Sequence, residues 1–423
     1  PPVAERCGII IDSLLHELPD PVGLLRAYGR IFTHTDNVYR INVPNALSFH
    51  RQIAHRMGLI NSLHDVSATG LHLQQARVYT PESLQAELGS AGLEVLELAS
   101  SFPKSLDTIY GAAEVFSKKI NDMSAGKFQI SVHAGGELMP PFGVVDGVQN
   151  ATVEMAHTAP YYFVGKDPTF AIGTAIPFGL NSRQMTAWTF EGGGLKVMRE
   201  FYANYNIINF AGGNTGAQMG GWYRKPVASL ADLKGLRFRT AGLAGAVLER
   251  LGVVVQAMPG GEIYQALEKG TIDAAEWVGP YDDLKLGFNK VAQNYAYPAF
   301  WEGGPQLDFF INTKAYAALP AEYKAMIEAA SAEAHVDMQA KYDTKNPGAL
   351  RTLVAGGTKL FRYPKDAMEA AFKEAMGLYS EISAKNPAFK KVYDEYAKFR
   401  AEQNLWFRFA EAGFDDFMQA QKL

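Results

Sequence analysis

Cysteine is nearly absent from this chain of 423 residues, which contains only Cys7. A single cysteine excludes an internal disulfide framework and a zinc site built from several cysteines. Long apolar runs are also missing, since no stretch approaches the roughly 18 apolar residues of a membrane-spanning helix. The formal net charge of −4 shows no excess of positive charge, so we expect no nucleic-acid partner.

The first residues lack the pattern of a secretory signal, because no charged segment followed by an apolar core stands at the start of the chain. We therefore expect no export signal in the chain as given. The scarcity of cysteine does not identify the compartment, because periplasmic proteins also often lack it.

Lysine is absent before Lys104, and six of the nine histidines lie in this lysine-free stretch. All five tryptophans follow it. A length of 423 residues and a hydrophobic fraction of 48% suit two or three folded domains. The break in composition predicts two modules of different origin, residues 1–97 and residues 98–423.

The first module shows short strands at 8–12, 38–45 and 93–98, and a capped helix that opens at Thr80-Pro81. Its motifs at 14–21, 42–45 and 79–84 resemble the C-terminal half of a class I S-adenosylmethionine-dependent methyltransferase. Such enzymes hold their cofactor on a Gly-rich turn and a following acid, and neither precedes Cys7. The sequence therefore predicts a truncated, Rossmann-like fragment that does not bind S-adenosylmethionine. His50, His55 and His64 fit no standard zinc spacing and are interpreted as solvated helix residues.

The second module alternates strands and helices, as a mixed α/β fold requires. Strands are predicted at 96–103 and 128–133, and helices at 108–123 and from 144 onward. Charged helices predominate after Pro320, and the last one starts at Asn386-Pro387 with a cap residue followed by a proline. Its many aromatic residues indicate either a core stripe or a homodimer surface.

Three segments of this module predict a binding cleft for a small carboxylate. Glu276 directly follows residues 270–275, which are interpreted as the end of a helix and a short buried strand, and open α/β sheets hold their ligands at such strand ends. Residues 213–222 place small residues and two amides at a turn, and residues 233–240 place Arg237 and Arg239 on one strand. A guanidinium offers two parallel donors to a carboxylate, and we favour Arg239 for this role over an ordinary surface ion pair. Arg237 is interpreted as a solvated or interlobe residue.

Motifs at 101–106, 133–137, 214–222, 236–240, 259–264 and 270–280 resemble those of the extracytoplasmic substrate-binding proteins of tripartite ATP-independent periplasmic (TRAP) transporters. The branch that binds 2-oxo acids and related monocarboxylates is the most similar. The resemblance implies an α/β, two-lobe periplasmic-binding-protein-like fold with a long C-terminal helical region at about 365–420. The incomplete Rossmann-like fragment would precede it.

The resemblance also implies site residues. The substrate would contact Arg239, Gln218, Trp277, Tyr161 and Asn214. A metal ion would be held by Gln218, Glu276, the main-chain carbonyl of Trp277, and Glu302. All four metal ligands offer oxygen, which suits a hard cation such as Na⁺ or Ca²⁺. From the residues alone, Glu276 remains open to a helix-cap or interlobe role, and Tyr161 to that of a half-buried core tyrosine.

Charge counting relates the metal to Glu302, because a buried cluster of charges is tolerated when it is nearly neutral. Arg239, one carboxylate ligand, a substrate anion and a monovalent ion sum to zero. We expect Na⁺ if Glu302 stays outside the ligand set and Ca²⁺ if it coordinates.

The leading interpretation is a non-enzymatic protein that captures a small 2-oxo or 2-hydroxy acid with a metal ion. It would deliver the acid to a TRAP membrane permease, and its location by resemblance would be the periplasm. One alternative is a methyltransferase fused to a ligand-sensing lobe. Another is a chimeric coding artefact in which the binding module is the only functional part.

Overall fold

The computed structural model describes residues 94–421. The chain divides into two compact units, residues 1–96 with 118–131 and residues 97–117 with 132–423. The elements and motifs predicted before residue 94, including those of the methyltransferase-like fragment, lie outside the described residues. The predicted module boundary between residues 97 and 98 therefore remains a prediction.

The described part of the smaller unit contains the end of one helix, most of one strand and the first three residues of another. The turn between them has a positive φ at Ala125 and Gly126, 51° and 80°. Ser124 closes this turn, because its hydroxyl accepts from the Phe128 N–H and donates to the Phe128 carbonyl, both at 3.0 Å.

The strands and helices of residues 94–421 alternate along most of the chain. The strands are β1 Glu94–Ser100, β2 Phe128–His133, β3 Met155–Thr158, β4 Ile207–Asn214, β5 Trp222–Tyr223, β6 Arg237–Arg239, β7 Val254–Gln256, β8 Ala274–Ala275, β9 Asn294–Tyr297, β10 Gln306–Asn312 and β11 Lys359–Arg362. The helices are α1 Gly111–Met123, α2 Val144–Gln149, α3 Ser182–Phe190, α4 Gly194–Tyr202, α5 Gly242–Arg250, α6 Gly260–Lys269, α7 Pro280–Leu286, α8 Thr313–Ala318, α9 Ala321–Ala355, α10 Lys365–Lys385 and α11 Pro387–Gln419.

The strands form two mixed sheets. The first has the order β2-β1-β3-β10-β4, and the second has the order β11-β9-β5-β8-β6-β7. In the first sheet β1 and β3 are parallel, while β10 runs antiparallel to both β3 and β4. In the second sheet β6 pairs in parallel with β7 and β8. Parallel pairs bring the carboxyl ends of their strands to one edge, which is where the predicted ligand residues lie.

The chain passes from one sheet to the other three times. Residues 215–221 connect β4 to β5, residues 298–305 connect β9 to β10, and residues 313–358 connect β10 to β11. The third connection contains α9, which packs on β4 of the first sheet and on α7 of the second. Each sheet is therefore built from separate stretches of the sequence.

Strand β10 lies in the middle of the core, and all seven of its residues are buried. A strand covered on both faces is expected to be largely apolar, and the Leu307, Phe309, Phe310 and Ile311 side chains agree. The ring of Phe309 stacks on that of Phe116, with centroids 4.1 Å apart. Phe116 and Ile120 are both fully buried, which agrees with the apolar helix face predicted from the sequence.

Two predicted boundaries are wrong by a few residues. Strand β1 ends at Ser100 rather than at residue 103, and α1 starts at Gly111 rather than at residue 108. The intervening residues form a compact loop in which the Leu106 N–H donates to the Pro103 carbonyl at 3.2 Å and the Tyr110 N–H donates to Leu106 at 3.0 Å. The buried side chains of Leu106 and Ile109 fix this loop against the core.

The C-terminal region consists of the paired helices α10 and α11, as predicted. The Asn386 side chain caps α11 by accepting from the Phe389 N–H at 2.9 Å. The first half of α11 is anchored by Tyr396, whose hydroxyl accepts from the Leu180 N–H at 2.7 Å. The second half is different, because its large apolar residues are exposed: Leu405, Trp406, Phe409, Phe414 and Phe417. None of the helices in residues 94–421 has the length and apolarity needed to cross a membrane.

Candidate functional site

Arg239 and Glu276 lie side by side because their strands pair in parallel. Arg239 ends β6 and is in register with Ala275, the last residue of β8. The Glu276 N–H donates to the Arg239 carbonyl at 3.0 Å, which continues the ladder by one residue. The two side chains are 1% and 0% exposed, so both charges are removed from water. The structure thus brings together the two residues on which the predicted carboxylate site depends.

The Arg239 guanidinium is held by main-chain carbonyls, by the Glu276 carboxylate and by the Trp277 ring. Its Nε donates to the Met258 carbonyl at 3.1 Å, and its Nη1 donates to the Glu276 carbonyl at 2.5 Å. Nη1 also lies 3.4 Å from Oε2 of Glu276. The guanidinium carbon stands 5.2 Å from the centroid of the Trp277 ring. Nη2 is buried and meets no acceptor with hydrogen-bond geometry among the described residues, although the Tyr162 phenol interacts with the guanidinium. A donor on Nη2 is therefore available for an anion.

Gln218 and Glu302 lie on the first and second connections between the sheets. The Gln218 N–H donates to the Glu302 carbonyl at 3.2 Å, which joins the two connections. The Gln218 amide nitrogen donates to the Thr215 hydroxyl at 3.0 Å. Its Oε1 atom and both carboxylate oxygens of Glu302 are buried and meet no donor with hydrogen-bond geometry in the described part of the chain, although the Tyr161 hydroxyl interacts with the Glu302 carboxylate. Burying such oxygens without partners costs free energy, so they are strong candidates for contact with a bound group.

The two carboxylates share one electrostatic environment. Burial raises the pKa of Glu276 above its ordinary value, while Arg239 opposes the rise and Asp283 adds to it. Burial also raises the pKa of Glu302 well above its usual range; the Glu276 carboxylate raises it further, and Arg239 and Tyr161 oppose it. Each carboxylate thus makes ionisation of the other harder. A cation beside them would reverse this effect.

A small cavity of about 10 Å³ is lined by Tyr161, Gln218 and Trp277, three of the residues predicted to contact substrate. Arg239, Glu276 and Glu302 are not among the residues that line it, and the predicted contacts with substrate remain predictions. Tyr161 is only 5% exposed and lies in a short 3₁₀ helix, Pro160–Phe163. The cavity has room for about one water molecule, so the described conformation is closed around its site.

The Trp277 ring is placed by close contact with α6. A Cβ atom added at Gly260, the first residue of α6, would collide with the Trp277 ring. A Cβ added at the next residue, Gly261, would meet nothing within 4 Å. The Pro259-Gly260-Gly261 segment therefore needs glycine at its first Gly position so that the indole can pack against the helix.

The segment that carries Glu276 and Trp277 is held in place by the buried carboxylate of Asp283. This buried carboxylate accepts from Trp222 Nε1 at 2.9 Å and from the Tyr295 hydroxyl at 2.6 Å. It also accepts from the Val278 N–H at 3.4 Å. Burial raises the pKa of Asp283 to about 7, and the donors from Tyr295 and Trp222 oppose the rise. Asp283 thereby ties residues 276–279 to strands β5 and β9.

Asn214 and Arg237 are engaged elsewhere. The Asn214 amide nitrogen donates to the Gly304 carbonyl at 3.1 Å, and its oxygen accepts from the Gly216 N–H at 2.9 Å. Both ends of this amide therefore brace the connections between the sheets, and its predicted contact with substrate stays a prediction. The Arg237 side chain forms a two-point ion pair with Asp273, at 2.6 and 2.9 Å, and is 42% exposed. Arg237 was predicted to be either solvated or interlobe, and its exposure agrees with the first alternative.

Sequence reasoning missed several residues around the cavity. Tyr162 follows Tyr161 in the same 3₁₀ helix, and the pair of tyrosines after Pro160 was the available signal. Thr215 carries the hydroxyl that orients Gln218. Phe102 and Ile109, from the loop before α1, form an apolar wall. Nothing in the local pattern of that loop indicates that it meets the segment around Trp277.

The donor set fits a hard cation. Among residues 94–421 no group of three or more His, Cys, Asp or Glu side chains is placed to hold a metal ion. The predicted set instead combines two carboxylates, Glu276 and Glu302, with the Gln218 amide and a main-chain carbonyl. The unpartnered oxygens of Gln218, Glu276 and Glu302 are all buried. Oxygen ligands of mixed charge are those that Ca²⁺ and Na⁺ accept and that zinc or copper does not favour.

Comparison with known proteins agrees with this geometry. The model of the family "bacterial extracellular solute-binding protein, family 7" matches residues 99–386. The chain is 49% identical over 325 residues to a monocarboxylate 2-oxoacid-binding periplasmic protein of Nostoc sp.; the match covers 77% of this chain and 89% of that protein.

Two solved structures extend the comparison. A TRAP transporter solute-binding protein from Bordetella bronchiseptica, with calcium and picolinate in one site of a mixed-occupancy dimer, is 48% identical. Its TM-score is 0.77, and the match covers 78% of this chain and 98% of that one. A TRAP periplasmic solute-binding protein from Pseudoalteromonas atlantica, with bound sodium and pyruvate, is 34% identical with a TM-score of 0.74. That match covers 78% of this chain and 100% of the other.

These matches confirm the predicted fold, a two-sheet α/β architecture of the periplasmic-binding-protein type with a long C-terminal helical region. The family match begins at residue 99, so the first part of the chain lies outside the matched family region. The extent of the family match and the identity to the Nostoc protein establish that the chain belongs to the TRAP-transporter solute-binding proteins, family 7 of the bacterial extracellular solute-binding proteins.

Proposed function

We propose that this protein is a non-catalytic periplasmic receptor that captures a small 2-oxo acid, or the related 2-hydroxy acid, together with a metal ion. It delivers the acid to the membrane permease of a TRAP transporter. The observation that carries the proposal is the set of buried, unpartnered polar atoms that share one site: Nη2 of Arg239, Oε1 of Gln218, Oε1 of Glu276 and both oxygens of Glu302. The set supplies a donor for an anion and several oxygens for a cation.

The substrate class is supported by the charges of the site and by the named relatives. A carboxylate on Nη2 of Arg239 completes the two-nitrogen fork of a guanidinium that Glu276 already neutralises in part. The ring of Trp277 and the phenol of Tyr161 line the cavity that a short carbon chain would enter, and its volume of about 10 Å³ must widen to admit one. The Nostoc relative named for monocarboxylate 2-oxo acids and the pyruvate-bound structure support the same class.

Gln218, Glu276, the Trp277 carbonyl and Glu302 would hold the cation. When bound, it would supply positive charge between the two carboxylates and a second attachment point for the substrate oxygens. Glu302 decides which ion balances the site. With Glu302 ionised, Arg239, the two glutamates and a substrate anion sum to −2, and a divalent ion such as Ca²⁺ restores neutrality. With Glu302 protonated, the sum is −1 and Na⁺ suffices.

The experiment is isothermal titration calorimetry on protein freed of metal by a chelator. Pyruvate, 2-oxobutyrate and lactate are titrated in the presence of NaCl or CaCl₂. We expect submillimolar binding of at least one acid that depends on the added metal, and loss of that binding in Arg239→Ala. Equal affinity in Arg239→Ala, or binding that does not respond to either metal, would contradict the proposal.

The aromatic second half of α11 supports a homodimer through the C-terminal helices. Trp406 and Phe409 are 59% and 73% exposed, and Phe414 and Phe417 extend the same apolar surface. Monomeric proteins rarely expose a contiguous apolar surface of this kind, so an association surface explains it. A second copy of the chain is the proposed occupant, and the Bordetella relative crystallised as a dimer.

For residues 1–97 we propose a fragment without methyltransferase activity, joined to a binding module at 98–423. The family region starts at residue 99, which supports a boundary near this position. Equilibrium dialysis with S-adenosylmethionine should detect no binding. Limited proteolysis that removes residues 1–90 should leave ligand affinity unchanged, and a loss of affinity would contradict this division.

A further inference from the structure

The loop between β1 and α1 makes a dense set of polar contacts with the helix that follows the ligand-bearing segment. Asp107 in this loop accepts from the Tyr281 hydroxyl at 3.0 and 3.2 Å and forms an ion pair with Lys285. Both partners lie on α7, which begins directly after residues 276–279. Lys285 also donates to the Ser105 carbonyl at 3.1 Å.

The next residue, Thr108, adds a fully buried contact. Its hydroxyl donates to Oδ1 of Asp282 at 2.5 Å, while the Tyr342 hydroxyl donates to Oδ2 at 2.6 Å. All three side chains are inaccessible to solvent. Tyr342 lies on α9, the helix that packs on both sheets. Breaking this contact would leave a buried carboxylate with one partner instead of two.

Lys345 on α9 contacts the same pair of residues, Asp107 and Tyr281. Lys345 Nζ donates to Oδ2 of Asp107 at 2.5 Å and to the Tyr281 hydroxyl at 3.1 Å. Burial by itself would raise the pKa of Asp107, but the hydrogen bonds from Lys285, Lys345 and Tyr281 hold it well below its usual range. We call the six residues Asp107, Thr108, Tyr281, Asp282, Lys285 and Lys345 the clasp.

The position of the clasp connects it to the cavity. Its loop carries Phe102 and Ile109, which line the cavity from the first sheet. The segment before α7 carries Trp277 and Val278, which line the cavity from the second sheet. The loop follows β1 and the helix follows β8, so the clasp joins elements that follow strands of different sheets. Its contacts cannot persist if the two sheets move apart to admit a ligand.

We propose that Asp107 and Thr108 are positioning residues for ligand capture. Through the clasp they hold the wall formed by Phe102 and Ile109 against the segment that carries Trp277. They thereby set how long a captured ligand stays enclosed. The clasp touches no ligand, so its strength affects every ligand equally. The residues that line the cavity determine ligand selectivity, and the clasp contributes to the residence time of the ligand. The inference rests on the proposed capture of a ligand but not on the identity of that ligand.

The test compares Asp107→Asn and Thr108→Val with wild type by stopped-flow tryptophan fluorescence, with pyruvate and 2-oxobutyrate in CaCl₂. We expect the dissociation rate to rise about threefold in Asp107→Asn, whose ion pairs are partly exposed, and about tenfold or more in Thr108→Val, which removes a buried donor. The ratio of the two ligand affinities should not change. Asp107→Glu should recover part of the loss because it keeps the charge.

Asp146→Asn is the matched control. Asp146 pairs with Lys166 at exposures of 54% and 28%, close to the 45% and 33% of Asp107 and Lys285. Asp146 lies on α2 and Lys166 in the turn after the 3₁₀ helix at 160–163, and neither residue lines the cavity. The dissociation rate of this variant should equal that of wild type. A rate that rises equally in Asp146→Asn and Asp107→Asn, or a changed affinity ratio in Asp107→Asn, would overturn the inference.

A distance measurement separates failure of the clasp from failure of the proposed substrate. Spin labels are placed at Glu114→Cys on α1 and Glu268→Cys on α6 in a Cys7→Ala background, and distances are read by pulsed electron resonance. We expect Asp107→Asn to shift the distribution toward longer distances, with or without ligand. Distances identical to wild type would overturn the inference, whereas absence of pyruvate binding with a shifted distribution would count only against the substrate.

Discussion

The Nη1 atom of Arg239 lies 3.4 Å from Oε2 of Glu276, and the same nitrogen donates to the Glu276 main-chain carbonyl at 2.5 Å. One residue thereby holds the guanidinium from two directions, and Nη2 remains without a partner among the described residues. The pair is buried, so the orientation of the guanidinium is fixed before a ligand arrives. A donor that is already oriented loses little entropy on binding.

Replacing Arg239 by Lys should therefore weaken ligand binding although the charge is kept. An ammonium cannot reach Met258, Glu276 and a ligand at once with the geometry of a fork. We expect an affinity loss of about 2–3 kcal/mol, the cost of one hydrogen bond between charged groups. Arg237→Lys on the same strand is the control and should change affinity by less than about twofold. Calorimetry with pyruvate and CaCl₂ measures both, and equal losses in the two variants would contradict the assignment.

Replacing Glu302 by Gln should change which metal supports binding. The variant lowers the negative charge of the site by one, so a monovalent ion balances Arg239, Glu276 and the substrate. We expect pyruvate affinity in CaCl₂ to fall by about tenfold or more relative to affinity in NaCl. Titrations of chelator-treated protein in each salt give the ratio. An unchanged ratio would place Glu302 outside the metal ligands.

Adding a methyl group at Gly260 should displace the Trp277 ring. The new Cβ would overlap the indole, whereas the Cβ of Gly261→Ala meets open space. Gly260→Ala should lower ligand affinity by about tenfold or more and change the tryptophan emission. Gly261→Ala should keep affinity and stabilise the protein by about 0.5–1 kcal/mol, because alanine favours the helix. Fluorescence titration and urea unfolding separate these outcomes.

Asp308 should make the stability of wild type fall as the pH rises. Burial raises its pKa from 3.8 to about 7, and hydrogen bonds from Asn209 and Gln306 oppose the rise. The folded protein thus holds the proton more tightly than the unfolded chain does. The resulting stability is complete below about pH 4 and is lost as the pH passes about 7. Asp308→Asn should remove this loss.

The measurement is the difference in unfolding free energy between Asp308→Asn and wild type at pH 4 and pH 8 in urea. The other titrating groups occur in both proteins and cancel in the difference. Relative to wild type, the variant should gain up to about 4 kcal/mol between the two pH values, since one pKa unit corresponds to about 1.4 kcal/mol. A difference that stays constant with pH would show that Asp308 is ionised in the folded state throughout.

Charges placed on the exposed half of α11 should break the proposed homodimer. The double variant Trp406→Glu/Phe409→Glu should sediment as a monomer at concentrations where wild type is a dimer, because burying two carboxylates at an interface is costly. Val336→Glu is the control, since Val336 is 65% exposed on α9, away from this surface in sequence. Analytical ultracentrifugation gives the answer, and a monomeric wild type would refute the dimer.

The sequence predicted the parts of the site that depend on strand ends. Glu276 was predicted because it follows a short buried strand, and Arg239 because it offers a guanidinium fork at the end of another; parallel pairing of the two strands brings these residues together. The start of α11 was predicted because its cap residue and proline act locally. The end of α6 is also set locally, because Gly270 adopts the left-handed conformation, with φ of 71°, that terminates a helix.

The remaining parts depend on contacts between residues far apart in the chain. Thr108 meets Asp282 across 174 positions, and neither residue has a local pattern that marks it. Which polar atoms stay unpartnered also depends on the whole packing: Asn214 has both amide atoms engaged, while Oε1 of Gln218 has no partner in the described structure. Glycine contacts such as that of Gly260 with Trp277 become visible only when the helix and the ring are placed.

The three passages of the chain between the sheets have a consequence for engineering. Strand β10 of the first sheet follows β9 of the second sheet in the chain, and β11 of the second sheet follows β10. No single cut in the polypeptide therefore separates one complete sheet from the other. Half-receptors for a split biosensor would each inherit an unfinished sheet, so a sensor from this scaffold is better made by inserting a reporter into an exposed loop.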